Sequence, residues 1–252
     1  MTWLLQLVVL LATYHLISLP PQLVLVLFGT ADFGPTDVAL VMTIYVSGIA
    51  GVGVLLAQAG RWRVKPGWYV VAVCLPIVLV LSAIGISAAL EGRSLAHWLQ
   101  WPQNIGSLIV PPLGEEFGWR GFALPRLQRR FNGLWASLIL GVIWACWHIP
   151  IFFLPGVPLT IFPLFLVGVT AGSILLTWLY NSTGNSLLIV MVAHAGLDLG
   201  LINIPSIAGN GLLLPIVLAL MYCAAAVVVV LMTEPRTLCR KDHHDIKNRR
   251  LA

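Results

Sequence analysis

Glu115 and Glu116 stand side by side in an otherwise apolar stretch, GSLIVPPLGEEFGWRGFALPRL, with Arg120 four residues on. Four residues is one helical turn, so Glu116 and Arg120 share a face and can pair. Glu115 points about 100° away around the helix, toward a different neighbour. Two carboxylates with one arginine leave one carboxylate free, and a free buried carboxylate is a candidate general base. Two further stretches repeat the one-turn spacing. In NGLWASLILGVIWACWHIPIFFLPG, Trp144 precedes His148, which sits just before Ile149-Pro150, where a helix is loosened. In NSLLIVMVAHAGLDLGLIN, His194 precedes Asp198, so imidazole and carboxyl lie one turn apart on one face. Asp198 could orient His194, donate a hydrogen bond when protonated, or ligate a metal.

The elements that carry these groups are read from composition. The chain has 252 residues, 59% hydrophobic and 9% charged, against about 25% charged in soluble domains. So few charges cannot cover a soluble surface, and the bilayer must be the solvent for most of the chain. The expected fold is all-α: a polytopic transmembrane bundle with a buried polar cavity, formed as a single membrane domain over 1–252. Spans are expected at about 3–28, 37–59, 67–90, 104–125, 134–154, 160–180, 187–204 and 211–232, eight in all. Pro20-Pro21 should kink or end the first, and the fourth is the weakest by hydropathy. Ser47, Gly48, Gly51 and Gly53, and likewise Gly168 and Gly172, have spacing suited to close helix packing. Gly114, Gly118 and Gly121 thin the fourth span and would let water or an extended peptide reach its backbone.

Twelve of the fourteen Lys and Arg residues fall on one side of an eight-span arrangement. They are Arg61, Arg63 and Lys65, then Arg126, Arg129 and Arg130, then a basic tail over 233–252. The positive-inside rule puts that side, and both termini, in the cytoplasm of a multi-pass cell-membrane protein. Asp32 and Asp37 fall on the far side. The net charge of +5 lies in short clusters beside apolar runs, a topology signal rather than a nucleic-acid face. The N-terminal run lacks a basic n-region and a cleavage site and reads as a retained span. The cysteines Cys74, Cys146, Cys223 and Cys239 have no paired spacing. His15 reads as interfacial, His97 as a loop residue, and His243 and His244 as part of the solvated tail.

An ionised side chain at the bilayer centre costs at least ~2.5–3.5 kcal/mol on insertion scales. Three spans that each carry such groups therefore point to a shared polar site. HEXXH and GxSxG are absent, so neither the usual zinc-helix nor the serine-elbow signature applies. A proton- or ion-coupled transporter would use similar residues, but the matching broken helices of inverted repeats are not visible. A catalytically silent immunity or scaffold protein is the other alternative.

The set Glu115-Glu116-x-x-x-Arg120, Trp144-x-x-x-His148 and His194-x-x-x-Asp198 resembles the CAAX protease and bacteriocin-processing (CPBP, or Abi) family of intramembrane proteases. That family includes the Ras-converting CAAX endopeptidases. The likeness covers about residues 100–205, the expected catalytic core. Trp144 stands where the family pattern has Phe, and Asp198 where Asn is frequent. The resemblance implies hydrolysis of a peptide bond in a membrane-associated protein or peptide. Glu115 would activate the water, His148 would hold it, Glu116 and Arg120 would support Glu115, and His194 and Asp198 would stabilise the oxyanion. It also implies a metal alternative, in which Glu115, His148 and His194 bind a divalent ion such as zinc. A prenylated CAAX substrate follows only where the host prenylates proteins.

Overall fold

The computed structural model describes residues 2–92, 94–95, 106–202 and 211–239. Arg93, His97, residues 104–105 and 203–204 of two expected spans, and the tail from 240 onward with His243 and His244 lie outside them. The architecture is all-helical, a membrane bundle as the composition requires. Its helices are α1 (Thr2–Thr13), α2 (Pro21–Ala31), α3 (Gly34–Ala57), α4 (Pro66–Glu91), α5 (Gly106–Glu116), α6 (Leu124–Leu127), α7 (Gly133–Trp147), α8 (Phe162–Ser182), α9 (Leu187–Ile202) and α10 (Leu213–Met232). A π-helical segment, Phe117–Ala123, joins α5 to α6 without a break.

Five helical stretches among the described residues are long and apolar enough to cross a bilayer: Gly34–Ala57, Pro66–Glu91, Gly133–Phe153, Leu159–Ser182 and Leu213–Met232. Their outer faces are greasy, with Tyr45 85% and Ile49 82% exposed, as lipid rather than water would demand. The single first span expected at 3–28 does not form. α1 and α2 have 12 and 11 residues, about 18 and 17 Å of helix, well short of a ~30 Å hydrocarbon core. Pro20 and Pro21 open the second helix, with Pro21 at its first position, where the missing N–H is harmless. The two pack on each other as a hairpin against the bundle.

α3 is also not straight. Gly48 adopts φ 67°, ψ −173°, a conformation that only glycine takes without strain, and the helix turns there. The small-residue packing expected around it therefore does not hold: Gly48 and Gly53 face no neighbour within 4 Å. The bend lets both ends of α3 reach one segment. A side chain at Gly118 would strike Pro35, and one at Gly121 would strike Leu55.

The centre of the bundle is α8, packed on α7, α9 and α10, while α9 also lies against α4 and α5. Close crossings set these distances. A Cβ at Gly141 of α7 would sit 2.7 Å from the Thr170 backbone of α8, and one at Gly196 of α9 would sit 2.5 Å from Pro76 of α4. Asn132 caps α7 by accepting from the Trp135 amide at 2.8 Å. The loops after α3, before α7, after α8 and after α10 gather at one end of the bundle. There Arg61 Nη1 donates to Gly184 O at 2.6 Å, and the Gly133 amide donates to Arg236 O at 2.7 Å. These are the basic loops that the charge distribution groups together.

Candidate active site

The three one-turn motifs meet in the interior. Glu115, Glu116, Arg120, His148, His194 and Asp198 are all buried, His148 the most exposed of them at 7%. Adjacent glutamates face different neighbours, as the 100° rotation requires. Glu116 Oε1 accepts from Arg120 Nη1 and pairs with His194 Nδ1 of α9, both at 2.7 Å. Glu115 turns to α7 instead, where its Oε2 accepts from the Trp144 indole N–H; Trp119, one turn along its own helix, donates to the same oxygen at 3.0 Å. Two donors on Oε2 leave Oε1 for a further partner. The helix changes to π geometry directly after Glu116, a deviation that is often found at functional positions.

Trp144 organises the centre. Besides its bond to Glu115, its carbonyl oxygen is 2.8 Å from His148 Nδ1. An acceptor there makes Nδ1 the protonated nitrogen and leaves Nε2 with its lone pair. The Arg120 guanidinium lies over the Trp144 ring, 4.4 Å from its centroid, and the His194 ring meets the same indole edge-on at 5.0 Å. Trp144 stands where the family pattern has Phe, and its indole N–H is a donor that Phe cannot supply. Trp144→Phe should keep the packing and lose one hydrogen bond to a charged acceptor, worth about 1.5–3 kcal/mol. The expected result is a loss of stability of that size and a lower Tm, read by thermal unfolding.

His148 is placed by the end of α7. Pro150 cannot continue the helix, α7 stops at Trp147, and a 3₁₀ turn, Ile149–Phe153, follows. His194 has both ring nitrogens turned to carboxylates, Nδ1 to Glu116 and Nε2 to Asp198 Oδ1 at 3.5 Å. Asp198 Oδ2 is buried without a hydrogen-bond partner among the described residues. His148 and Asp198 border one cavity of about 70 Å³, otherwise walled by apolar side chains such as Phe165, Leu197 and Tyr222. It holds about two waters' worth of space. This hollow is largely apolar, with His148 and Asp198 in its wall.

Asp32 is a residue that sequence reasoning did not connect with the site. It lies between α2 and α3, and its charge acts on Asp198, His194 and Glu115. The glycines of α5 and the π segment explain the approach. A Cβ at Gly114 would sit 2.6 Å from Asp32 O, and one at Gly118 would sit 2.5 Å from the Pro35 backbone. The backbone that these glycines admit is therefore the chain's own 32–35 segment, where a peptide or water was expected. The signal was present as a GxxxG spacing one residue before Glu115, but nothing local says which strand of chain will fill it.

Residues 97–200 match the family model described as "Type II CAAX prenyl endopeptidase Rce1-like". A curated relative, "CAAX prenyl protease 2" of Methanococcus maripaludis, is 28% identical over 95 residues. The aligned part covers 34% of this chain and 35% of the relative. All three one-turn motifs fall inside the matched segment, whereas Asp32 and the α1–α2 hairpin fall outside it.

Proposed function

We propose, on the match of residues 97–200 to the Rce1-like CAAX prenyl endopeptidase family, that the chain is an intramembrane endopeptidase acting on a membrane-associated peptide or protein. The observation that carries this reading is the state of Glu115. One carboxylate oxygen is fixed by two indole donors, in a buried site that also holds His148 and His194.

In the proposed reaction Glu115 Oε1 takes a proton from a water held against His148 Nε2. The resulting hydroxide adds to the scissile carbonyl carbon. The oxyanion is met by His194 Nε2 and by Asp198 in its acid form, donors fixed before the reaction begins. Glu115 then returns the proton to the departing amine as the C–N bond breaks. Glu116 and Arg120 act through others: they hold His194 in orientation and the Trp144 ring in place. The apolar hollow beside His148 and Asp198 suits a nonpolar substrate side chain next to the cleaved bond. We assign the basic-loop end to the cytoplasm on the positive-inside rule.

A divalent ion such as zinc would require three or four converging ligands. Among the described residues no three His, Cys, Asp or Glu side chains form such a group. Glu116 accompanies His194 Nδ1, and two indoles occupy one oxygen of Glu115. We therefore write the proposed reaction with each proton carried by side chains; a metal-dependent form, with Glu115, His148 and His194 as ligands, would instead lose cleavage on chelation.

The test is hydrolysis by the purified chain in proteoliposomes. A membrane-anchored peptide, with and without a prenylated CAAX terminus, should be cut at one bond, seen by mass spectrometry. Proton flux without cleavage of any peptide would point to a transporter and overturn the proposal.

A further inference from the structure

At the basic-loop end, the close of α3, α6 and the α8–α9 turn surround a second cavity of about 420 Å³. It is well separated from the catalytic groups: Arg126 is ten residues along the chain from Glu116, about 15 Å of helix. Arg61, Arg126 and Arg129 line it, together with Gln58, Tyr180 and Asn185. Arg126 donates to Phe122 O at 2.9 Å and lies on the Phe122 ring. Arg129 repels Arg126. Among the described residues, no carboxylate pairs with any of the three arginines. Three like charges around one hollow are mutually unfavourable unless an anion sits between them.

The same two arginines of the α6 region also border a neighbouring hollow of about 590 Å³. Its floor is apolar: Trp119, Ala123, Leu127, Leu140 and Ile143. Ile143 is among the exposed large hydrophobic side chains, so this groove opens to the lipid side of the bundle. A cationic hollow at the ends of the helices, joined through shared arginines to an open apolar groove, is complementary to an amphiphile with an anionic head. Arg is suited to the head because its planar fork matches phosphate oxygens.

We propose that Arg61, Arg126 and Arg129 form a binding site for the phosphate of an anionic membrane phospholipid, whose acyl chain lies in the groove between the π segment and α7. Trp119 then touches both the lipid and Glu115, because its indole N–H donates to the Glu115 carboxylate.

Delipidated protein in neutral detergent is titrated with phosphatidylglycerol, phosphatidylcholine or inorganic phosphate, with binding read by native mass spectrometry and by thermal unfolding. Phosphatidylglycerol should bind and raise Tm, and the Arg126→Gln/Arg129→Gln double variant should bind it ~30-fold more weakly. Arg63→Gln/Lys65→Gln, which removes the same charge outside the cavity, should change binding less than about threefold. Ile143→Trp narrows the groove without touching a charge and should weaken binding about tenfold, which keeps the test open if the arginine variant misfolds. Equal loss in both double variants, phosphatidylcholine binding as tightly as phosphatidylglycerol, or inorganic phosphate raising Tm as far as the lipid would each overturn the lipid site.

Discussion

Glu115→Gln should abolish peptide cleavage while the protein still folds. Gln is nearly the same size and its carbonyl oxygen can accept from the Trp119 and Trp144 indoles, so the bonds that fix this side chain survive. What is lost is the ability to take a proton. A positioned general base contributes ~10²- to 10⁴-fold, so kcat should fall by that factor with KM little changed. Gln also removes a buried negative charge without leaving a partner orphaned, since the Arg120 bond goes to Glu116. The Tm should therefore stay level or rise. A variant that cleaves within threefold of the parent would remove Glu115 from the chemistry. Glu116→Gln makes an instructive contrast. It weakens both the Arg120 and the His194 contacts of a fully buried ion pair, and breaking such a pair costs about 3–5 kcal/mol. Its loss should appear in Tm as well as in kcat.

His194→Ala should lower kcat by ~10²- to 10³-fold, the usual effect of removing one preformed oxyanion donor. His194 sits between Glu116 and Asp198, edge-on to Trp144. Its removal deletes a donor and frees Asp198 to turn. Binding of substrate relies on the apolar hollow rather than on this ring, so the change should fall on kcat more than on KM. Asp198→Asn separates the two halves of the pair. Asn supplies an N–H donor where Asp must be protonated to donate, so Asp198→Asn should retain far more activity than His194→Ala. The Asn variant should also lose any decline of rate that follows ionisation of Asp198 as pH rises. If both variants are equally inactive, Asp198 acts by its charge, and the donor assignment fails.

Several features were legible in the sequence because they depend on residues close together in the chain. Hydropathy fixed the helical membrane class, since 9% charge cannot coat a soluble surface. The one-turn spacings fixed which groups share a face, and the Glu116–Arg120 bond appears where that spacing puts it. Pro150 ended α7 beside His148 for a purely local reason. The first apolar run divides near Pro20-Pro21, where an interruption was expected. A proline pair inside an apolar run is equally compatible with a kinked crossing and with two short helices. Only the contacts available to each half choose between them.

The chain by itself determined the solvent, the helices and the identity of the ionisable groups, because burial energy and helical periodicity act over a few residues. Tertiary structure alone decided that Glu115 faces Trp144 while Glu116 faces His194, that the Trp144 indole is a donor as well as packing, and that Asp32 lies within the field of the site. Those outcomes rest on helix crossings such as Gly141 on Thr170 and Gly118 on Pro35. The partners in each crossing are tens of residues apart, and no local pattern specifies which surface a glycine will meet.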